Sequence, residues 1–239
     1  MQTKPKYKRV LLKISGESFS RPGQFGIDGI ELTSLAERIS QICNLGPQVA
    51  VVVGAGNFLR GDSFAKESQI PRNTADYMGM LATIINACAL QETLERLGQP
   101  TRVLSSIEVA AMCEKFIRRR AIRHLERQRI AILAGGTGNP FFTTDTCAAL
   151  RASELEADLL IKATKVDGVY SDDPHKDPKA KLFEKLSYDE VLEKKLKIMD
   201  HSAISLCRDN NIPIVVLNIF KQGNITKAIC GQKVGTLIC

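Results

Sequence analysis

Short apolar runs alternate along the chain with stretches in which apolar residues recur every three or four positions. Val49–Val53 is a continuous β-branched run, which is typical of a strand buried on both faces of a sheet. After the run Val10–Ile14, apolar residues recur at helical spacing from Leu32 to Ile42, and Gly46 follows as a stop signal. Further strands are predicted at Val103–Leu104, Ile130–Leu133, Leu159–Ile161, Ile214–Leu217 and Lys233–Ile238.

Helical spacing fills most of the intervals between these strands. The longest predicted helix runs from about Thr74 to Leu97 and stops before Gly98 and Pro100. Shorter helices are predicted at Ile107–Cys113, Arg118–Gln128, Thr144–Leu155 and Ala203–Asn210. Such alternation is typical of an α/β fold with a mainly parallel sheet and helices on both faces. A single domain over residues 1–239 suits this length.

Two polar segments are predicted to be loops. Ser20–Gly29 carries Gly and Pro at turn positions between the first strand and the first helix. Ser171–Lys185 contains two prolines and many charges, which favours an exposed excursion.

Composition excludes several classes of protein. An apolar content of 44% with 25% charged residues is typical of a globular protein. No apolar run approaches the roughly 20 residues that span a bilayer. The N-terminal sequence MQTKPKYKR leads into a strand without the apolar region of a signal peptide, so we expect a cytoplasmic location. The seven cysteines are scattered without metal-ligand spacing, which favours reduced core thiols and predicts no protein metal cage.

A net charge of +7 favours anionic partners, either nucleic acid or phosphorylated small molecules. Much of the excess lies in one predicted helix, but no aromatic residues interleave there to stack on bases. A solvated basic helix is therefore the favoured interpretation, and nucleic-acid binding the weaker one. The arginines concerned are Arg118, Arg119, Arg120, Arg123, Arg127 and Arg129.

Four predicted strands end in loops that carry glycine together with Lys, Arg, Thr or Asp. They are Lys13–Gly16, Gly54–Asn57, Gly135–Asp145 and Lys162–Gly168. Because ligands of parallel α/β sheets gather at the carboxyl ends of strands, we expect the four loops to share one site. The stretch from Gly135 to Tyr170 holds two nucleotide-sized sets of polar groups, and this arrangement predicts a two-substrate phosphoryl-transfer site.

Other interpretations of these motifs are less favoured. Gly54-Ala55-Gly56 lacks the third glycine of a dinucleotide fingerprint, because Leu59 occupies that position, and the chain contains no P-loop. The three histidines lie outside the glycine loops, so an activated-nucleophile hydrolase is poorly supported. Phe141 and Phe142 are predicted to anchor the core, and Thr144 and Asp145 are possible helix N-caps.

Phosphoryl transfer needs positioning and charge neutralisation more than covalent catalysis. Lys13, Lys165, amide-rich loops and Mg²⁺ held chiefly by ATP and water would supply both. A nucleoside monophosphate acceptor fits further, because its second pKa of about 6 leaves its oxygen ionised near neutral pH.

Five motifs, in order along nearly the whole chain, resemble the bacterial uridylate kinase family of the amino-acid-kinase superfamily. They are KISGE (13–17), GAGNFLRG (54–61), DYMGMLAT (76–83), GTGNPFFTTDT (136–146) and KATKVDGVYSDDP (162–174). The resemblance implies a three-layer α/β/α sandwich and transfer of the ATP γ-phosphate to UMP, which gives UDP. It further implies a homohexamer, activation by GTP, inhibition by UTP, a UMP-binding part near residues 1–150 and an ATP-binding part near 151–239.

The resemblance also implies roles for individual residues. Lys13 and Lys165 would be catalytic, with Asp145 orienting a lysine or a metal-bound water. ATP would contact Lys13, Ile14, Ser15, Gly16, Gly56, Arg60, Thr164, Tyr170 and Asp173. UMP would contact Ala55, Asp76, Thr137, Gly138, Asn139, Pro140, Phe141, Phe142, Thr143 and Thr144. The GTP-effector loop would consist of Arg21, Pro22, Gly23, Gln24, Phe25 and Gly26.

One position departs from the family pattern. The family commonly has three glycines where this chain has Gly54-Ala55-Gly56, and a positive φ at Ala55 would cost about 1 kcal/mol.

Two alternative functions remain open at this point. One is a superfamily kinase that phosphorylates a carboxylate, such as that of acetylglutamate, glutamate or aspartate. The other is a DNA-binding or regulatory protein that uses the arginine-rich helix.

Overall fold

The computed structural model describes residues 4–59, 69–172, 177, 179–194, 196 and 198–239. Within these residues nine strands form one sheet in the order β4-β3-β5-β2-β1-β6-β8-β9-β7. Every pairing is parallel except that of β8 with β9, which is antiparallel. The strands are β1 (Arg9–Ile14), β2 (Gln48–Val53), β3 (Thr101–Ser105), β4 (Glu114–Lys115), β5 (Ile130–Ala134), β6 (Leu159–Thr164), β7 (Lys185–Leu186), β8 (Ile214–Asn218) and β9 (Thr236–Ile238).

Helices cover both faces of this sheet, so the predicted three-layer α/β/α fold is confirmed. Side chains of β1 alternate between two hydrophobic layers, with Val10, Leu12 and Ile14 in one layer and Leu11 in the other. The first layer is closed by α1 (Gly29–Cys43), α2 (Arg72–Arg96) and α7 (Asn224–Ile229). The second is closed by α3 (Arg118–Glu126), α4 (Thr144–Glu154), α5 (Tyr188–Glu193) and α6 (His201–Asp209).

The predicted helix over Ile107–Cys113 is wrong. These residues form bends and one turn, and Cys113 N donates to Val109 O at 3.1 Å. The connection must return the chain to pair β4 beside β3 from Glu114 onward, which leaves too few residues for a regular helix. Its apolar spacing instead reflects Ile107, Val109 and Cys113, which pack as a loop against the core.

The cysteines differ in how deeply they are buried. All seven cysteines are free; Cys147 and Cys207 are buried, Cys239 is exposed and the others are half-buried. The expectation of core thiols therefore holds for only part of the set.

Among the helices that the structure describes, none is long and apolar enough to cross a membrane.

Candidate active site

The four predicted loops follow four strands that are neighbours in the sheet. In the order β5-β2-β1-β6 the strands are parallel, so their carboxyl ends lie along one edge. The topology thus places the four loops along the same edge of the sheet, while a shared site stays a prediction.

A buried cluster of three charges lies at the centre of this edge. Lys13 in β1 is directly opposite Lys162 in β6, and both point to the face that α4 covers. Asp145, in the first turn of α4, lies between them. Lys13 Nζ is 2.9 Å from Asp145 Oδ1, and Lys162 Nζ donates to Asp145 Oδ2 at 2.7 Å. All three side chains are at most 14% exposed, so solvent screens these ion pairs weakly.

The protonation states follow from this arrangement. Burial alone would raise the pKa of Asp145, but the Lys13 and Lys162 ammonium groups outweigh it, and the pKa lies below its usual value. Burial lowers the pKa of Lys162, which Asp145 partly opposes. Asp145 therefore stays ionised near neutral pH and is poorly suited to act as a general base. The prediction was that Asp145 orients a lysine or a metal-bound water, and the structure pairs it with two lysines.

The first two glycine loops pack backbone against backbone. Gly54 N donates to Ile14 O at 2.8 Å, which joins the end of β2 to the end of β1. A Cβ atom on Gly16 would lie 2.2 Å from Gly56 N, so only glycine permits this approach. Ala55 has no positive φ, and the strain considered for alanine at this position does not arise. The two loops thus present their amide groups from one rigid unit.

A buried pair of asparagines supports this unit from α2. Asn57 and Asn86 exchange side-chain amide hydrogen bonds at 2.9 and 2.8 Å, and Asn86 also donates to Gly54 O at 2.8 Å. Asn57 Nδ2 reaches Gly26 O at 2.9 Å. Asn86 was missed by sequence reasoning, and the only signal would have been its polar side chain among the buried positions of a long helix.

The third loop is fixed by Asp76 of α2. Asp76 Oδ2 accepts from Phe141 N at 2.8 Å, and Oδ1 accepts from Arg72 Nε at 2.8 Å. Phe141 has a φ of +71°, a conformation that this hydrogen bond helps to hold. Phe141 and Phe142 are 68% and 55% exposed, so the prediction that they anchor the core is wrong. Their rings face solvent beside the loop, where a ligand could cover them.

The beginning of α4 is capped by Thr143, and not by Thr144 or Asp145. Thr143 Oγ1 accepts from Asp145 N at 3.1 Å and Thr146 N at 3.2 Å. Asp200, just before α6, accepts hydrogen bonds from the hydroxyls of Thr143 and Thr146. Lys162 Nζ also donates to Ile198 O. The segment before α6 therefore braces the charged centre, a role that no local sequence pattern announced.

The other predicted site residues lie around the same edge. Lys165 is exposed and lines a pocket of about 450 Å³ together with Gly56. The Thr164 hydroxyl donates to Val166 O at 2.7 Å within the loop, and Tyr170 forms an isolated bridge with Leu182. Five residues of the predicted effector loop line that same pocket: Arg21, Pro22, Gly23, Gln24 and Phe25.

Two predicted residues, Arg60 and Asp173, lie outside the described residues, as do positions 174–176 and 178 of the predicted excursion after Tyr170. Among the residues that are described, no group of three or more His, Cys, Asp or Glu side chains could hold a metal ion. The remaining predicted UMP residues, Thr137, Gly138, Asn139 and Pro140, form the tight turn after Gly136, in which Gly138 N donates to Gly135 O at 3.0 Å.

Comparisons with known proteins identify the family. The profile of the amino acid kinase family matches residues 8–218. A uridylate kinase of Methylococcus capsulatus is 52% identical over 236 residues, which cover 99% of this chain and 98% of the relative. The UMP kinase structure from Bacillus anthracis has a TM-score of 0.94 at 38% identity, covering 97% of this chain and 96% of its own. That from Ureaplasma parvum has a TM-score of 0.91 at 38% identity, covering 98% and 99%. The chain belongs to the amino acid kinase family.

Proposed function

We propose that the chain is a UMP kinase, which transfers the γ-phosphate of ATP to UMP and releases ADP and UDP. The observation that carries this proposal is Asp145 held between Lys13 and Lys162, at the junction of four adjacent strand-end loops. Similarity to a uridylate kinase over nearly the full length supports the choice of acceptor. The resemblance of the motifs noted above therefore agrees with the geometry and with the comparisons.

The two substrates would approach the centre from opposite ends of the loop row. We assign UMP to the side of Asp76, Ala55 and the turn Thr137–Thr144, within residues 1–150. ATP is assigned to Lys13–Gly16, Gly56 and the loop after β6. Its base and ribose would lie within residues 151–239. Lys165 is exposed and lines the same pocket as Gly56, which supports its predicted catalytic role.

The chemistry asked of the protein is electrostatic. Lys13 and Lys162 hold positive charge next to the reacting phosphates, and Asp145 keeps both ammonium groups oriented. Loop amide groups would bind phosphate oxygens. The acceptor oxygen of UMP needs no general base near neutral pH, because the second phosphate pKa is about 6. This agrees with a site whose buried carboxylate is already committed to two lysines.

Magnesium would be held mainly by ATP and water. Asp145 Oδ1 is buried and pairs with Lys13 Nζ at 2.9 Å. Both carboxylate oxygens are thus committed to lysines, and the residues present fit an ion that ATP and water would hold, with Asp145 acting only through Lys13 and Lys162. When bound with ATP, the ion supplies positive charge at the phosphate oxygens.

Substrate competition tests the proposal. A coupled ADP-release assay with Mg-ATP offers UMP, CMP, acetylglutamate, glutamate and aspartate in parallel. We expect turnover with UMP and none with the three amino acids. Turnover with an amino acid would keep the fold and overturn the substrate. Silence with every acceptor, together with salt-dependent DNA binding, would favour the arginine-rich helix instead.

We also propose that α2 packs against a second copy of the chain, within the homohexamer that the resemblance implies. One face of this helix exposes large apolar side chains, with Tyr77, Leu81 and Ile85 each four residues apart and Met78 beside them. They are 44%, 47%, 52% and 37% exposed, respectively. An apolar stripe of this kind costs free energy in water and is typical of an interface.

Charged substitutions on this face should disrupt assembly. We expect Leu81→Glu with Ile85→Glu to shift the protein to smaller species in light scattering, because buried carboxylates lack partners at such an interface. The exposed pair Lys227→Glu and Lys233→Glu serves as the control for added negative charge. An unchanged mass for the α2 variant would contradict the proposed interface.

Regulation and location stay predictions. Activation by GTP through Arg21–Gly26, inhibition by UTP, and a cytoplasmic location rest on the resemblance and on the N-terminal sequence. The effector loop is tied to the second glycine loop by hydrogen bonds between Gly26 and Asn57, at 2.9 Å in each direction. This contact supports a route by which an effector could act on the phosphate-binding amides.

A further inference from the structure

Arg151 of α4 is a buried cation outside the charged centre. It is 5% exposed, and its guanidinium lies 3.8 Å from the centre of the Phe116 ring. One side of the group pairs with Glu154. A buried charged group is stable only when its charge and its hydrogen-bond donors have partners. The guanidinium of Arg151 therefore needs a partner besides Glu154.

That partner leads directly to the third loop. Arg151 Nη2 donates to Ser106 Oγ at 2.8 Å, and Ser106 Oγ donates to Gly136 O at 2.7 Å. The hydroxyl can give its single proton to Gly136 because a charged donor occupies its acceptor side. Such a chain strengthens both hydrogen bonds. Two residues from separate parts of the chain, Arg151 and Ser106, are thus connected to one loop carbonyl.

The orientation of the Gly136 carbonyl determines the direction of the next amide group in the loop. Because the peptide bond is planar and trans, fixing Gly136 C=O fixes Thr137 N–H in the opposite direction. Gly136 has a φ of +56°. Because glycine has no side chain, its peptide group can adopt more than one orientation at little cost in free energy unless hydrogen bonds hold it. Gly138 also lies close to Ser106, because a Cβ atom added to Gly138 would be 3.2 Å from Ser106 Cβ.

We infer that Arg151 and Ser106 form a positioning relay that sets the orientation of the Gly136–Thr137 peptide, and thereby the affinity for the acceptor nucleotide. This inference rests on the proposed assignment of Thr137–Thr144 to UMP. Among the described residues, the side-chain hydrogen bonds and ion pairs of Ser106 and Arg151 reach Gly136 and Glu154 and not the Lys13 loop or the loop after β6, so we place the relay on the acceptor side. Its effect is therefore specific to one of the two substrates.

Kinetics with each substrate varied separately test the relay. Ser106→Ala should raise the KM for UMP on the order of three- to tenfold, as for one lost hydrogen bond, with the KM for ATP unchanged. Arg151→Met should raise the KM for UMP by no more than Ser106→Ala does, because Arg151 reaches Gly136 only through Ser106, and Arg151→Lys should restore part of the loss because the charge remains. The double variant Ser106→Ala/Arg151→Met should show no more effect than Ser106→Ala alone.

Controls separate this role from a merely structural one. Ser153→Ala removes a hydroxyl on the same helix, which donates to Ala149 O, and should leave both KM values unchanged. Asp76→Asn reports on the UMP assignment itself and should raise the KM for UMP. If Asp76→Asn has this effect and Ser106→Ala does not, the relay is wrong and the proposed function stands. If neither has it, the loop assignment fails and the relay with it. Loss of thermal stability with unchanged KM values would also overturn the relay.

Discussion

Replacing Lys13 with methionine is expected to lower kcat by about a hundred- to thousandfold, because the site loses one preorganised positive charge. Methionine keeps most of the length of the side chain, so the change removes charge more than volume. Asp145 keeps its pairing with Lys162, and the fold should persist. The measurement is steady-state turnover with saturating UMP and Mg-ATP, accompanied by thermal unfolding.

The same experiment contains its own comparison. Lys162→Met should show a loss of similar size, since Lys13 and Lys162 lie opposite one another and share Asp145. Lys227→Met changes an exposed lysine on α7 and should turn over like the unmodified chain. If the Lys13→Met protein unfolds like the unmodified chain and retains full kcat, the charged cluster takes no part in phosphoryl transfer.

Replacing Gly16 with alanine is expected to lower kcat/KM for ATP by about a hundredfold. The added Cβ would lie 2.2 Å from Gly56 N and 2.6 Å from Ala55 C, and backbone atoms at those distances must move. A displacement near 1 Å of groups that bind the transferring phosphate has consequences of this size. Overpacking should also lower the free energy of unfolding by about 1–3 kcal/mol.

Gly29→Ala provides the matched control for this change. Gly29 begins α1, and an added Cβ there meets nothing within 4 Å. We therefore expect little change in either kinetics or unfolding. Wild-type kcat/KM in Gly16→Ala would show that the two loops are not held against each other as the structure has them.

The hydrophobic pattern predicted most of the fold because strands and helices have local periods. The β-branched run at Val49–Val53 and the long helix ending near Leu97 were both recognisable without knowledge of their neighbours. The loop at Ile107–Cys113 was not, because anchoring a loop on the core produces similar apolar spacing. The antiparallel pairing of β8 with β9 depends on strand order, which the sequence pattern does not contain.

Two residues of the candidate site, Lys13 near the end of β1 and Asp145 in the first turn of α4, could be singled out because each borders a glycine-containing loop. Residues that act across the sequence were missed: Asp200 contacts Thr146 over 54 positions, and Asn86 contacts Asn57 over 29. The position of Lys162 in its strand is itself a sequence signal. Like Lys13, it lies inside an apolar strand, where a lysine needs a buried partner to offset its charge.

The most direct test of the account is phosphorus NMR of the unmodified chain with Mg-ATP and UMP. We predict that UDP signals grow in a one-to-one ratio with ADP, that they require UMP, and that Lys13→Met nearly abolishes them. ADP formed without UDP would mean hydrolysis or another acceptor. Either result would contradict the assignment of this charged centre to phosphoryl transfer between ATP and UMP.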